Sequence, residues 1–202
     1  YNIPIQTVLG LLLAVLSDRL ARSVALRAVI IAPYLISNVV AALIWMLMLD
    51  PILGLTNAFL DTIGIARQSF LASPDQAMIS VAAISTWHHT GLTALLFYAG
   101  LQAIPRHLYE AAKLEGASEW VMFRRITLPL LRPVLAFVLV TSLIGSFQVF
   151  DVIAVATAGG PADSTRVILW YIYENAFQFH KMGYASALSV VLFVVLILIT
   201  LL

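Results

Sequence analysis

Residues 184–202 read YASALSVVLFVVLILITLL, without one Asp, Glu, Lys or Arg, and runs of this kind recur along the chain. A helix needs about 20 predominantly apolar residues to cross the hydrocarbon core of a bilayer. Five segments approach that requirement: 3–16, which is short, then 29–49, 77–101, 133–155 and 184–202. The short alternating strands of a membrane β-barrel do not occur. The expected fold is all-α, a polytopic transmembrane helical bundle. The sequence begins without Met and ends inside an apolar run, so a missing first helix, making six spans in all, and a missing C-terminal tail are expected.

Composition narrows the function classes. The chain is 62% hydrophobic and 10% charged, whereas a soluble domain is about half apolar and about a quarter charged. That excludes a free globule, a disordered chain and a nucleic-acid binder. A formal charge of +1 offers no field to a polyanion. With no cysteine there is no disulfide, thiolate nucleophile or Cys-ligated metal. No basic start with a cleavage site marks a signal peptide.

Lys and Arg concentrate in cytoplasmic connections. Connections 17–28 and 102–132 hold Arg19, Arg22, Arg27, Arg106, Lys113, Arg124, Arg125 and Arg132, while 50–76 and 156–183 hold Arg67, Arg166 and Lys181. Eight basic residues against three place 17–28 and 102–132 inside and the other two connections outside. In the first outer loop the stretch 53–65 is too short to span and suits a small interfacial helix. In the second, Gly159-Gly160-Pro161 precedes an amphipathic, aromatic-rich helix over 167–179.

The inner loop 102–132 reads QAIPRHLYEAAKLEGASEWVMFRRITLPLLR. Pro105 suits a helix start, where its absent N–H costs nothing. Residues 106–115 are helix-prone, and Gly116 supplies a left-handed stop. Ser118 is an N-cap for a second short helix, 119–127, which Pro129 limits. Leu108, Ala111, Ala112 and Glu115 fall near one face, where small alanines allow another surface to approach closely.

Glu110-Ala111-Ala112, Gly116 four residues later, and Ile126-Thr127-Leu128-Pro129 form an ordered pattern. It resembles the EAA loop of binding-protein-dependent ABC transporter permeases. Ala32-Pro33-Tyr34, Ala99-Gly100-Leu101-Gln102, Ile104-Pro105, Phe150-Asp151, Gly159-Gly160-Pro161 and Gly183-Tyr184-Ala185-Ser186-Ala187 extend the resemblance over nearly the whole chain. They are similar to the carbohydrate-uptake branch, the maltose and glycerol-3-phosphate type. Glu115 departs from the family, which more often has Asp before the glycine, yet the charge is kept. His88-His89 is a second peculiarity.

The resemblance implies a type I ABC importer permease in a prokaryotic cytoplasmic membrane, with residues 1–202 forming one permease domain and 102–132 its coupling loop. Its implied partners are a second permease subunit of a different chain, two ATPase subunits, an extracytoplasmic solute-binding protein and membrane lipid, with no nucleic acid. Glu110, Ala111, Ala112, Glu115 and Gly116 would dock the ATPase. ATP and magnesium would sit on that ATPase and no cofactor on this chain, which lacks the G-x-x-x-x-G-K-[ST] phosphate loop. The chain is therefore not expected to be an enzyme.

Polar residues inside spans are costly in lipid and mark bundle interiors or cavities. Thr141, Gly145, Gln148 and Asp151 fall at helical spacing, as do Tyr34, Asn38, Ala41 and Trp45, while Ser85, His88 and His89 cluster. Amides and aromatics suit a sugar, through hydroxyl hydrogen bonds and stacking. Asn38, Trp45, His88, His89 and Gln148 are therefore candidate pathway residues. For Asn38 and Gln148 the competing role is hydrogen bonding between helices; for Asp151 it is a cap or loop anchor. Adjacent histidines point about 100° apart on a helix and make poor joint ligands for one metal ion. Gly183, Ser186, Ala187 and Ser189 suit close helix packing. The alternative function is a proton-coupled secondary transporter, which needs an intramembrane coupling group; His88, His89 and Asp151 are the candidates.

Overall fold

The computed structural model describes residues 2–20 and 24–201; of the basic residues assigned above to the inner connections, Arg22 lies outside them. Among the described residues every regular element is helical. They are α1 (Asn2–Leu20), α2 (Val24–Leu35), α3 (Asn38–Met48), α4 (Leu55–Thr62), α5 (Pro74–Gln102), α6 (Arg106–Leu114), α7 (Glu119–Met122), α8 (Leu128–Leu130), α9 (Arg132–Phe147), α10 (Asp151–Ala156), α11 (Ile168–Tyr173) and α12 (Met182–Leu201). Wide π turns cover Phe123–Thr127 and Glu174–Gln178.

Among the described residues, two helical stretches are long and apolar enough to cross a membrane by themselves, Arg132–Ala156 and Met182–Leu201, and a broken pair, Arg27–Leu35 with Asn38–Met48, qualifies as a third when taken together. The expected segment 77–101 lies in α5, whose 29 residues include Ser85, Thr86, His88, His89, Thr90 and Thr93. Those polar side chains lower its hydropathy, although its length suffices for a crossing.

The expected continuous helix over 29–49 is interrupted at Ile36-Ser37. Pro33 sits inside α2, where it donates no backbone bond and its ring presses on the preceding turn. Ser37 is extended, with φ −57° and ψ 141°, and α3 restarts as Ala41 N donates to Ser37 O at 2.9 Å. The helix over 133–155 likewise loosens between α9 and α10, at residues 148–150.

The chain forms two compact units. One is built mainly from residues 36–88 and 142–201. Its core joins Ala42 of α3 and Leu49 just beyond it, Val81 and Ile84 of α5, Val152 and Ile153 of α10, and Trp170 of α11. The other comprises residues 3–35 and 89–141, with Ala14, Phe97 and Val138 buried among Leu11, Leu101, Val134 and Leu135. A side chain at Gly91 would meet the Ile30 carbonyl, so glycine lets α5 approach α2 closely. Large apolar side chains such as Val190, Phe193 and Leu198 of α12 remain exposed, as befits surfaces for lipid or another subunit. Gly183, Ser186, Ala187 and Ser189, expected at helix contacts, are exposed too, and Ala185 is the buried residue there. The contact with α11 at this end of α12 is made by Tyr184, whose ring stands edge-on to Tyr171 at 6.3 Å.

Candidate functional site

The break at Ile36-Ser37 leaves backbone groups without helical partners, and a side chain from α5 meets one of them. His88 Nε2 donates to the Ile36 carbonyl at 2.8 Å, with only 5% of the residue exposed. A carbonyl only accepts, so His88 carries a proton on Nε2. His88, a pathway candidate by its place in an apolar span, here satisfies the carbonyl of a broken helix. His89 belongs to the other unit, where its ring stands edge-on to Tyr34 at 6.2 Å.

Asn38, at the start of α3, donates from Nδ2 to Oδ2 of Asp151 in the first turn of α10 at 3.1 Å. This pairing favours the interhelical role for Asn38 and the anchor role for Asp151. The break at residues 148–150 also removes Asp151 from a continuous stripe with Thr141, Gly145 and Gln148. Tyr34 is cut off from Asn38, Ala41 and Trp45 in the same way. Gln148 itself is exposed.

Trp45 lines a cavity of about 320 Å³ together with Phe70, Gln68, Gln76, Ser80 and Ile84. Its indole meets Trp87 edge-on at 5.4 Å, and its buried Nε1 has no acceptor among the described residues. The cavity wall is held by amides: Gln76 Nε2 donates to Gln68 Oε1 at 2.8 Å, and Gln76 Oε1 accepts from Phe70 N at 2.8 Å. Gln68 and Gln76 were not among the sequence candidates, because they lie in a connecting loop and at its junction with α5, outside any apolar repeat.

Loop 50–76 is a tightly bonded plate rather than a slack connection. Asn57 is 1% exposed; its Nδ2 donates to the carbonyls of Pro51 and Gln68, and its Oδ1 accepts from Gln68 N. Asp50 Oδ1 accepts the Ile52 and Leu53 amides, each at 2.8 Å. Those bonds from Leu53 and Ile52 hold its carboxyl below the usual carboxylate range. In the second loop of this unit, Arg166 Nε donates to Glu174 Oε2 at 2.6 Å, which raises the guanidinium's affinity for its proton.

The 102–132 hairpin follows the sequence reading closely. α6 ends at Leu114, and Gly116 has φ +76°, the left-handed region that favours glycine. Ser118 Oγ accepts from Val121 N, capping α7. Glu110, Ala111, Glu115 and Gly116 are exposed and Ala112 is half-buried, so the group is open to an incoming surface. Pro129 does not end the second helix as expected. The backbone widens into the π turn at Phe123–Thr127 and continues through α8, since the wider turn accommodates a proline ring that an ordinary helical turn would reject. Tyr109 of α6 and Thr127 of that turn share a hydrogen bond between their hydroxyls at 2.8 Å. Sequence spacing held no signal for this pair.

A family model described as "Binding-protein-dependent transport system inner membrane component" matches residues 6–202. The trehalose/maltose transport system permease protein MalF of Thermococcus litoralis is 37% identical over 200 residues, covering 98% of this chain and 68% of the relative. The sn-glycerol-3-phosphate transport system permease protein UgpA of Agrobacterium fabrum is 37% identical over 194 residues, covering 95% of this chain and 66% of that protein. A chain of the bacterial alginate ABC transporter, solved in complex with an alginate pentasaccharide-bound periplasmic protein, superposes with a TM-score of 0.86 at 30% identity. The match covers 100% of this chain and 70% of that one.

Proposed function

The chain belongs to the inner membrane components of binding-protein-dependent transport systems, and we propose that it is the permease subunit of an ATP-driven importer for a sugar or sugar-like solute delivered by an external binding protein. The carrying observation is likeness over nearly the full chain to permeases named for trehalose/maltose and glycerol-3-phosphate. A structural neighbour that works on alginate, solved together with its periplasmic protein, supports the same reading.

In this function the protein sits in the cytoplasmic membrane with loop 102–132 inside. α6 and its exposed Glu110, Ala111, Glu115 and Gly116 dock to one of two ATPase subunits, which hold ATP and magnesium. A second permease chain completes the pathway. In this reading Trp45, whose buried indole N–H has no acceptor among the described residues, and Gln148, exposed in the span, line the solute pathway. A polar solute released by the binding protein would find an aromatic face and amide groups, the combination suited to sugar C–H faces and hydroxyls.

The test is reconstitution of this permease with its second permease, ATPase and binding protein in proteoliposomes. Uptake of a sugar probe must require ATP and the binding protein. Uptake driven by a proton gradient without ATP would overturn the proposal.

A further inference from the structure

Helix α6 has no buried residue. Leu108, Tyr109 and Ala112 are half-buried and the rest are exposed. A cavity of about 380 Å³ opens beside it, with Tyr109, Lys113, Glu119, Asp18, Leu101 and Thr127 in its wall. A helix that must pass on a mechanical displacement is therefore not backed by close apolar packing there. Packed elements move as units only where contacts oblige them to.

Two polar contacts tie α6 to the segment that follows it. The first is Lys113 Nζ to Glu119 Oε1 at 3.8 Å, with both side chains more than half exposed. Exposed pairs of this kind contribute about 0–1 kcal/mol and are screened by salt. The second is the hydroxyl pair of Tyr109 and Thr127 at 2.8 Å. Thr127 is 6% exposed, so its partner cannot be replaced by water without cost. Thr127 also closes the π turn, and its carbonyl accepts from Leu131 N at 3.0 Å, one residue before α9 begins. The phenol thus reaches from the middle of α6 to the base of a span in a single bond.

We propose that Tyr109 and Thr127 are positioning residues for transport, a strut that obliges α9 to follow α6. This rests on the reading of α6 as the ATPase-docking helix. Removing the bond leaves docking intact but lets α6 move against the cavity without carrying the span.

The experiment uses the complete transporter in proteoliposomes, measuring ATPase co-purification, ATP hydrolysis and sugar uptake on the same preparations. Tyr109→Phe keeps the ring and removes the hydroxyl; Thr127→Val removes the partner; Thr127→Ser restores it. The expected result is unchanged co-purification with uptake per ATP hydrolysed falling about 5-fold in Tyr109→Phe and Thr127→Val, the scale of one hydrogen bond. Thr127→Ser should return most of it, and the double variant should be no worse than the poorer single one. Wild-type stoichiometry in Tyr109→Phe, additive losses in the double variant, or no recovery in Thr127→Ser would each overturn the strut. Ala112→Trp separates the two readings: if it co-purifies with the ATPase and transports normally, the docking role of α6 fails, whereas loss there with wild-type Tyr109→Phe removes the strut alone.

Discussion

Asn38 and Asp151 lie 113 positions apart in sequence, and their side chains meet at 3.1 Å. Each stands in the first turn of a helix that restarts after an interruption, α3 after Ile36-Ser37 and α10 after residues 148–150. The bond therefore fixes the starts of two helices whose Ala42, Val152 and Ile153 share one core. The bond joins side chains and steadies the two restarts; the freed backbone is met separately, at the Ile36 carbonyl by His88 Nε2.

Asn38→Ala should lower stability by about 1–2 kcal/mol, the cost of leaving a partly buried acceptor unpaired. Thermal unfolding of the detergent-purified complex, with subunit recovery, measures it. Gln148→Ala should do the opposite, keeping stability and assembly while weakening sugar uptake, since Gln148 is exposed. If both variants lose assembly and uptake together, Gln148 is a packing residue and leaves the pathway.

His88→Leu removes the donor to the Ile36 carbonyl while keeping an apolar side chain in a buried position. Leaving this part-buried carbonyl unsatisfied costs on the order of 1 kcal/mol, so the variant should unfold earlier at every pH. A proton-coupling role predicts something different: normal stability with transport that no longer depends on pH. Measuring melting and uptake across pH on the same variant distinguishes the two.

Much of the hairpin was legible because its signals are local: Pro105 before α6, Gly116 with φ +76° after it, and Ser118 capping α7. The interruptions at Ile36-Ser37 and residues 148–150 were not. They persist through distant partners, His88 for the Ile36 carbonyl and Asn38 for Asp151, and no spacing rule links residues that far apart. The helical repeats read across both breaks for that reason gathered residues that the fold separates. Pro129 misled in the other direction, because a π turn takes up the ring without ending the helix.

Asp50 gives a pH signature outside the spans. Its carboxyl is held below the usual range by the Leu53 and Ile52 amides. A depressed native pKa means that the ordering it provides is complete above about pH 4, the ordinary aspartate value, and is lost as pH falls through the lower native value. Amide exchange at Ile52 and Leu53, corrected for intrinsic rates, should therefore stay protected down to pH 4 and rise only below it. Asp50→Ala should abolish that protection at neutral pH; equal protection in the variant would deny the carboxyl its role.

The docking role of α6 carries the strongest mechanical expectation. Gly116 has φ +76° and open space around it, so a larger side chain there meets no neighbour and acts through the backbone alone. A β-branched residue in the left-handed region costs about 1–2 kcal/mol, enough to redirect the chain toward α7. Ala112, by contrast, is half-buried and small, and a tryptophan there would hold any incoming surface away. Gly116→Val and Ala112→Trp should insert in the membrane at wild-type levels, yet lose uptake by at least about 10-fold, equivalent to about 1.4 kcal/mol of lost coupling. The two should fail differently. Ala112→Trp should lose ATPase co-purification, because contact itself is blocked. Gly116→Val should retain part of the association while hydrolysis proceeds without uptake, because the helix still docks but its connection onward is misdirected. Full uptake in both variants would remove α6 from the coupling path, and with it the reason for exposing Glu110, Ala111 and Glu115 on that face.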